Sequence, residues 1–277
     1  MYKRVSNCIK YIVRLLALAL LFTPCVNSAA ELIQFDANES PPYWSANMEG
    51  QGLCGEILHA LSKETGLTAK INFKPLKRLI EDTKNNDLGN PLFYIETQDF
   101  AGIIPIALYQ ISFYYYKPNH PKQITLNNLN DLKKYKIGIL KGTLIDQLAF
   151  EQLGIVFESS YKQSSIFKKL KLGRIDLAIE INLIAQQLIN QLYPEQSHNF
   201  AHISISEKPS AIALMINEEM PDAKKIVQRY REALTRLIAK GRYQQILEKY
   251  YIKTPIPINW YSELARYDRL YNFDLSE

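Results

Sequence analysis

The sequence predicts an α/β fold of two lobes joined by two crossing segments. Apolar strands and amphipathic helices alternate in two runs of similar size, which is typical of parallel sheets covered by helices. Two extended segments, near 109–117 and 203–212, join the runs. We therefore expect lobe 1 to comprise residues 31–110 and 211–277, and lobe 2 to comprise residues 111–210.

The first run consists of short elements whose bounds follow from glycine, proline and the spacing of apolar residues. Gly66 closes a helix, because glycine readily adopts the left-handed conformation found just after a helix end. Pro75 opens the next helix, because the first helical turn accepts proline. We predict, in order, a strand at 31–35, a helix closed by Gly66, a strand at 69–73, a helix from Pro75 to about residue 85 and a strand at 92–95.

The stretch 137–180 is the most informative part of the second run. An apolar strand breaks at Lys141-Gly142-Thr143 and restarts as a helix, and a later helix stops at Gly173. Such a turn points free backbone N–H groups and a hydroxyl at the carboxyl end of the strand, where α/β sheets bind ligands. We predict strands at 111–117, 136–140, 155–157, 175–179, 203–205 and 210–216, helices at 129–134, 144–152, 164–172 and 183–192, a closing helix interrupted at Gly241, and a surface tail from Pro255.

The first 30 residues have the organisation of a cleaved secretory signal peptide. Four basic residues precede an apolar run at 15–22, Pro24 breaks the run, and the Ser28-x-Ala30 spacing fits cleavage after Ala30. The apolar run is too short for a transmembrane helix, which needs about 20 such residues. We therefore expect an exported protein.

Removal of the signal peptide changes the charge and cysteine content. Four of the 33 basic residues leave with it, so 29 basic residues face 28 acidic ones and the net charge falls from +5 to +1. This balance argues against a nucleic-acid partner. Cys8 and Cys25 also leave, and Cys54 remains without a partner for an internal disulfide.

Four short motifs occur in a fixed order over residues 31–251. They are Pro41-Pro42-Tyr43, Lys141-Gly142-Thr143, Gly173-Arg174-Ile175-Asp176 and Ala239-Lys240-Gly241-Arg242-Tyr243. Each motif alone is weak, but their order and spacing resemble bacterial extracellular solute-binding proteins of family three, the binding subunits of ABC transporters for polar amino acids. The resemblance implies a periplasmic binding protein type II fold. It also implies a monomer without a cofactor that captures a small polar or anionic molecule between its lobes and delivers it to an ABC permease in the inner membrane.

The chain departs from the amino-acid binders of this family where they hold the amino acid itself. In the family, a Ser-x-Thr-x-x-Arg segment follows the third strand, and its arginine binds the ligand α-carboxylate. The matching stretch here keeps Thr97 but has Phe100 in place of the arginine, and the position of the ammonium-binding aspartate matches Ile181, next to Glu180. Because phenylalanine cannot form a charge-assisted pair, we expect a ligand other than a standard α-amino acid.

Eight residues are candidates for ligand contact, and structural roles compete for most of them. Thr143 either binds a ligand or caps its own helix. Arg78 either reaches into the cleft in place of the missing arginine or lies solvated at the surface. Tyr43 and Trp44 either stack on a ligand or pack in the core. The predicted ligand-binding residues are Tyr43, Trp44, Arg78, Thr97, Tyr115, Gly142, Thr143 and Glu180.

Two further interpretations stay open for the remaining candidates. The tyrosines at 114–116 alternate along a strand, so one face belongs to the core and the other lines the cleft. Asp36 and Glu39 follow the first strand, where they either meet an ammonium group or remain solvated.

The sequence contains no arrangement of residues that identifies a catalytic or metal centre. The four histidines, at 59, 120, 198 and 202, have no metal-ligand spacing with a carboxylate or cysteine. The sequence has neither a Gly-x-Ser-x-Gly elbow nor a phosphate-binding Gly-Lys-Ser/Thr motif. We therefore expect a protein that is not an enzyme. Some proteins of this fold are enzymes, including periplasmic cyclohexadienyl dehydratases, so an enzyme is the first alternative and a ligand-sensing domain without a transport role is the second.

Overall fold

A computed structural model describes most of the chain after the predicted signal peptide. The described residues are 32–82, 84–96, 98–141, 147–206, 208–252 and 256–272, without the side chains at 76, 77, 80 and 147–149. The predicted signal peptide at 1–30 lies outside them. Within these ranges, no helix combines the length and the apolar character that a membrane crossing requires.

Lobe 1 is built on a mixed sheet of five strands. The strands are β1 Leu32–Ala37, β2 Thr68–Phe73, β3 Asn86–Gly89, β4 Phe100–Tyr109 and β10 Ser210–Asn217. Their order across the sheet is β2–β1–β3–β10–β4, with β1 to β3 parallel and β10 antiparallel to both of its neighbours. The parallel part results from strand–helix–strand connections, as the sequence predicts.

Lobe 2 repeats this architecture with a second sheet. Its strands are β5 Ile111–Tyr116, β6 Ile137–Leu140, β7 Phe157–Ser160, β8 Leu177–Ile181 and β9 Phe200–Ser204. They lie in the order β7–β6–β8–β5–β9, with β6, β7 and β8 parallel and β5 antiparallel to β8 and β9. The two sheets confirm the predicted fold class, two α/β lobes.

Helices cover the sheets with the apolar faces that their sequences predict. They are α1 Gly52–Thr65, α2 Leu76–Glu81, α3 Gln147–Gln152, α4 Gln163–Lys171, α5 Asn182–Leu192, α6 Ala223–Ala239, α7 Arg242–Tyr250 and α8 Trp260–Tyr271. In α1 the buried Leu61 lies about one turn after Ile57 and Leu58, on the same face of the helix. Gly66 ends the helix at a φ of 70°. Gly241, also at a φ of 70°, separates α6 from α7.

The lobes are connected at two places. Gln110 links β4 to β5, and residues 205–209 link β9 to β10. Gln110 Nε2 donates a hydrogen bond of 2.8 Å to the Ser206 carbonyl, which ties the two crossing segments together. Leu183 and Ile184, at the start of α5 in lobe 2, are buried in the same apolar cluster as the core of lobe 1.

The predicted strand at 92–95 is wrong. The third strand of lobe 1 is β3, and a short 3-10 helix, Pro91–Phe93, follows it. The Asn90 side chain accepts a hydrogen bond of 3.0 Å from the Leu92 N–H, and proline is favoured in the first helical turn. Local capping therefore overrides the apolar run.

The prediction of a surface tail from Pro255 differs from the structure. Residues from Trp260 onward form α8, and Trp260 and Leu264 are buried against lobe 1. The spacing of these two apolar residues fits one face of a helix, but two residues are too few to identify the helix from sequence.

Candidate functional site

The carboxyl ends of the parallel strands in lobe 1 carry a row of polar side chains. The register aligns Asp36 of β1 with Asn72 of β2 and Asp87 of β3, so the three side chains share one face of the sheet. Asp36 is 1% exposed, and its Oδ1 accepts a hydrogen bond of 2.8 Å from Asn72 Nδ2. Its Oδ2 lies 2.5 Å from Lys74 Nζ. The buried carboxylate therefore has both a neutral donor and a cation.

Lys74 joins two carboxylates at this edge. Its Nζ also lies 3.1 Å from Asp82 Oδ2, just after α2. The hydrogen bond with Asp36 raises the pKa of Lys74, and the hydrogen bond with Lys74 lowers the pKa of Asp82. One ammonium group is thus shared between two acids.

Asp87 is the most unusual group of the row. It is fully buried, and neither carboxyl oxygen has a hydrogen bond of normal geometry among the described residues. Burial is the main cause that raises its pKa to about 8, followed by the negative charges of Asp36 and Asp82, while Lys74 and the Gln98 amide oppose the shift. Asp87 therefore holds a proton at neutral pH, since the burial of a carboxylate is costly.

The lobe 1 edge is consequently acidic and rich in hydrogen-bond acceptors. The Oε1 atom of Gln98, a residue that is 7% exposed, also has no donor within the described ranges. A protonated Asp87 adds one donor, whereas an ionised Asp87 adds a second negative charge beside Asp36. This edge therefore combines carboxyl and amide oxygens with the ammonium group of Lys74.

The corresponding edge of lobe 2 presents an exposed cation. Lys141 follows β6, and its Nζ donates a hydrogen bond of 2.8 Å to the hydroxyl of Tyr161, which follows β7. Both side chains are exposed, and the hydrogen bond from Lys141 lowers the pKa of Tyr161. This pair offers a positive charge and a hydroxyl at the carboxyl ends of neighbouring parallel strands.

Glu180 lies at the carboxyl end of β8, the strand next to β6 in the sheet. It is 8% exposed, and its Oε1 accepts a hydrogen bond of 2.9 Å from the Ile181 N–H. Burial raises its pKa to about 7, against the opposing hydrogen bonds from Ile181 and Gln163. The register pairs Glu180 with Ser112, whose buried hydroxyl has no partner in the described part of the chain.

The structure places the predicted residues of lobe 1 in different environments. Tyr43 is 1% exposed, and its hydroxyl donates a hydrogen bond of 3.4 Å to the Leu108 carbonyl. Trp44 packs edge-on against Tyr43 at 6.1 Å and belongs to the same core cluster. Arg78 is exposed on α2. Thr97 lies outside the described residues.

The predicted residues of lobe 2 do not share one surface. Tyr115 is 3% exposed and packs in a cluster with Ile137 and Leu177. Glu180 lies on the opposite face of the sheet, because its register partner Ser112 is three residues from Tyr115 along an alternating strand. Gly142 and Thr143 lie outside the described residues.

Sequence analysis missed Asp87 and Gln98 because it placed the third strand too late. With β3 at Asn86–Gly89, Asp87 falls on a parallel strand beside Asp36. The sequence does mark the end of this strand. Asp87 is followed by Leu88 and Gly89 and then by Asn90 and Pro91, which favour a turn. Within the described ranges, no three histidine, cysteine or acidic side chains gather as a metal site.

Comparisons with known proteins identify the fold and not a sequence family. No family model matches the chain, and no curated protein matches its sequence. Among solved structures, the chain is similar to a histidine kinase sensor domain with similarity to periplasmic binding proteins, at 16% identity and a TM-score of 0.59 over 80% of this chain and 96% of that one. It is similar to an ancestral arginine-binding protein bound to arginine, at 17% identity and a TM-score of 0.59 over 79% and 98% of the two chains. A third is the GluR0 ligand-binding core from Nostoc punctiforme in complex with L-glutamate, at 14% identity and a TM-score of 0.54 over 79% and 99%.

These similarities establish the two-lobed periplasmic binding protein type II fold. The identities are too low to transfer a ligand or a role, since one fold hosts many functions. What the chain binds has to be argued from its own side chains.

Proposed function

We propose that the protein is a periplasmic solute-binding protein that captures a small polar ligand between its two lobes. One observation supports this most strongly: each lobe ends its parallel strands in polar side chains, in a fold shared with proteins solved with arginine and with L-glutamate. Ligands of open α/β sheets bind at the carboxyl ends of the strands. Asp36 and Lys74 on lobe 1 and Lys141 and Glu180 on lobe 2 occupy such positions.

The ligand is captured by a hinge motion of the two lobes. The two crossing segments are short, with a single residue at Gln110 and five at 205–209. A ligand that contacts both lobes stabilises the closed arrangement in proportion to its preference for that arrangement. The lobes need not change internally.

The side chains favour a ligand other than a standard α-amino acid. Phe100, which the sequence resemblance matches to a carboxylate-binding arginine, begins β4 and packs against an apolar cluster that includes Leu79, Tyr94 and Met215. Lys141 is then a cation available to an anionic ligand group, and the acidic edge of lobe 1 suits a group with N–H or O–H donors. We propose that glycine, glutamate, histidine and lysine each fail to raise the melting temperature.

The ligand is identified by mass spectrometry. Protein purified from a periplasmic extract without denaturation is unfolded, and the released small molecules are compared with those from an equal amount of protein that was unfolded, dialysed and refolded. A compound enriched in the first sample and bound again by the refolded protein supports the proposal. The absence of any rebinding compound contradicts it.

Substitutions at the proposed contacts should weaken binding of the recovered ligand. We expect Arg78→Ala and Thr143→Val each to raise the dissociation constant by about 5- to 150-fold, the effect of losing a hydrogen bond worth about 1–3 kcal/mol. Arg242→Ala is the matched control, because Arg242 is an exposed arginine on α7. Isothermal titration calorimetry measures all three. Unchanged affinity in both contact variants would remove these residues from the site.

Delivery to an ABC permease is the proposed role, and a sensing role is the second candidate because a histidine kinase sensor domain shares the fold. Deletion of the gene should abolish uptake of the radiolabelled ligand if the protein serves transport. Uptake at the wild-type rate, with loss of a transcriptional response to the ligand, favours sensing. Recovery of a chemically altered compound after incubation with the protein would instead favour the enzyme alternative.

A further inference from the structure

Helix α8 follows the four sequence motifs, the last of which ends at Tyr243. The helix packs on β4, the edge strand of the lobe 1 sheet.

Side chains of α6 and α7 hold the start and the middle of α8 on lobe 1. Trp260 is 1% exposed and its Nε1 donates a hydrogen bond of 2.9 Å to the Tyr243 hydroxyl, which in turn donates to the Ile106 carbonyl at 2.7 Å. Arg231 of α6 pairs with Asp268 at 3.2 Å. These contacts anchor both the start and the middle of the helix.

A side chain just after the helix bonds to the backbone of β4. Asn272, the residue after α8, accepts a hydrogen bond of 3.3 Å from the Ile103 N–H and donates one of 2.9 Å to the Ile103 carbonyl. Its side-chain amide thereby takes the place of a neighbouring strand at the edge of the sheet. Helix α8 therefore contacts lobe 1 at its start, in its middle and just after its end.

One contact of α8 reaches beyond the lobe. The Tyr267 hydroxyl donates a hydrogen bond of 2.8 Å to the Pro209 carbonyl, the last residue of the crossing segment 205–209. The Tyr267 ring is fixed between the Tyr271 ring, stacked at 5.5 Å, and the Arg266 guanidinium, 4.1 Å from the ring centre. The Ser206 carbonyl in the same segment accepts the hydrogen bond from Gln110. The segment that Tyr267 contacts is therefore bonded to the other crossing segment.

We propose that Tyr267 is a latch on the hinge, through which α8 biases the balance between arrangements of the two lobes. The proposal rests on the proposed function, since it requires lobes that open and close. Proline fixes its own φ near −65°, so hinge bending must occur through neighbouring torsions, and these reorient the Pro209 carbonyl. The hydrogen bond favours whichever arrangement keeps that carbonyl directed at Tyr267, as it is here.

The test compares two tyrosines on the same helix. Tyr267→Phe removes the latch hydroxyl and keeps the ring. Tyr261→Phe is the control, because it removes a hydroxyl that donates to Gln244 Oε1 at 2.6 Å, within lobe 1. Spin labels at Lys63→Cys on α1 and Lys168→Cys on α4, both exposed positions, report the distance between lobes, and Cys54 is fully buried.

We expect the Tyr267→Phe distance distribution in the ligand-free, labelled protein to move away from the distance seen here. Loss of one hydrogen bond should change the ratio of the two arrangements by about 2- to 10-fold. The Tyr261→Phe distribution should superimpose on that of the wild type, and both variants should retain the wild-type circular dichroism spectrum. Superimposable distributions for all three proteins, or equal shifts in both variants, overturn the proposal.

The readout separates this inference from the proposed function. The distance measurement needs no ligand, so a shift specific to Tyr267→Phe supports the latch even if no compound is recovered from the protein. A recovered ligand combined with an unchanged distribution removes the latch and leaves ligand capture intact.

Discussion

Replacing Asp87 with asparagine should make the protein more stable than the wild type at pH 8 and above. The pKa of Asp87 is raised from 3.8 to about 8 in the folded protein, chiefly by burial. Between these values the folded protein holds a proton that the unfolded chain has released. The free energy of unfolding of the wild type therefore falls as pH rises through this window, by up to about 1.4 kcal/mol per pH unit from this group.

Asparagine has the same shape and no ionisation, so Asp87→Asn removes this slope. The two proteins should have similar stability near pH 4, and the variant should lead by several kcal/mol at pH 8–9, at the rate of about 1.4 kcal/mol per unit. The other charged or titratable groups near Asp87 are Asp36, Asp82, Lys74 and Tyr94. Urea unfolding at fixed ionic strength from pH 4 to pH 9 measures the difference.

Glu180→Gln is the matched control for this experiment. Burial raises the pKa of Glu180 from 4.5 to about 7, so its contribution to the slope ends near pH 7. Between pH 7 and pH 8 only the Asp87 variant should flatten the curve. A wild-type slope for Asp87→Asn in that interval would mean that Asp87 is already ionised in the folded protein.

Replacing Gly52 with alanine should destabilise lobe 1 by about 3–5 kcal/mol, through backbone strain and steric overlap together. Gly52 has a φ of 87° and a ψ of −176°, a region that residues other than glycine essentially do not occupy. An added Cβ would lie 2.7 Å from the Pro42 carbonyl oxygen and 2.8 Å from that of Tyr43. These carbonyls accept hydrogen bonds from the Leu53 and Cys54 N–H groups at the start of α1, at 3.0 and 2.7 Å. The substitution therefore pushes apart the helix and the loop that carries Tyr43 and Trp44.

Gly66→Ala is the matched control at the other end of α1. Gly66 also has a positive φ, 70°, but a Cβ there meets nothing within 4 Å. We expect a loss of only about 1 kcal/mol, the cost of the left-handed conformation. Urea unfolding of both variants at pH 6 separates the two causes. Equal losses would show that neither the ψ of Gly52 nor contact with the Pro42 and Tyr43 carbonyls adds to the cost.

Much of the fold is predictable from the spacing of apolar residues and from the positions of glycine and proline. Gly66 and Gly241 end helices where the sequence predicts, and the apolar faces of α1 and α6 are buried. Strand β4 was missed because Pro105 interrupts its apolar run, and proline argues against a central strand. The strand lies at the edge of the sheet, where proline is tolerated, and its register shifts beside that residue.

The site was harder to predict, because it depends on which strands are neighbours. Asp36 and Asp87 are 51 positions apart in the sequence and become neighbours only through the pairing of β1 with β3. Tyr43 and Trp44 follow a strand, as ligand-binding aromatics do, yet their rings are buried in the core of lobe 1. Sequence position locates the carboxyl edge of a sheet, but side-chain direction depends on packing that the sequence does not display. The roles of Gly142 and Thr143 stay predictions.

A small ligand held between the two lobes should change the distance between them. That distance therefore tests ligand capture most directly. The protein labelled at Lys63→Cys and Lys168→Cys is measured by double electron–electron resonance, without ligand and with a saturating concentration of the compound recovered from the native protein. Capture predicts that the ligand narrows the distance distribution and moves it to a single closed arrangement. An identical distribution with and without the bound compound would contradict capture by lobe closure.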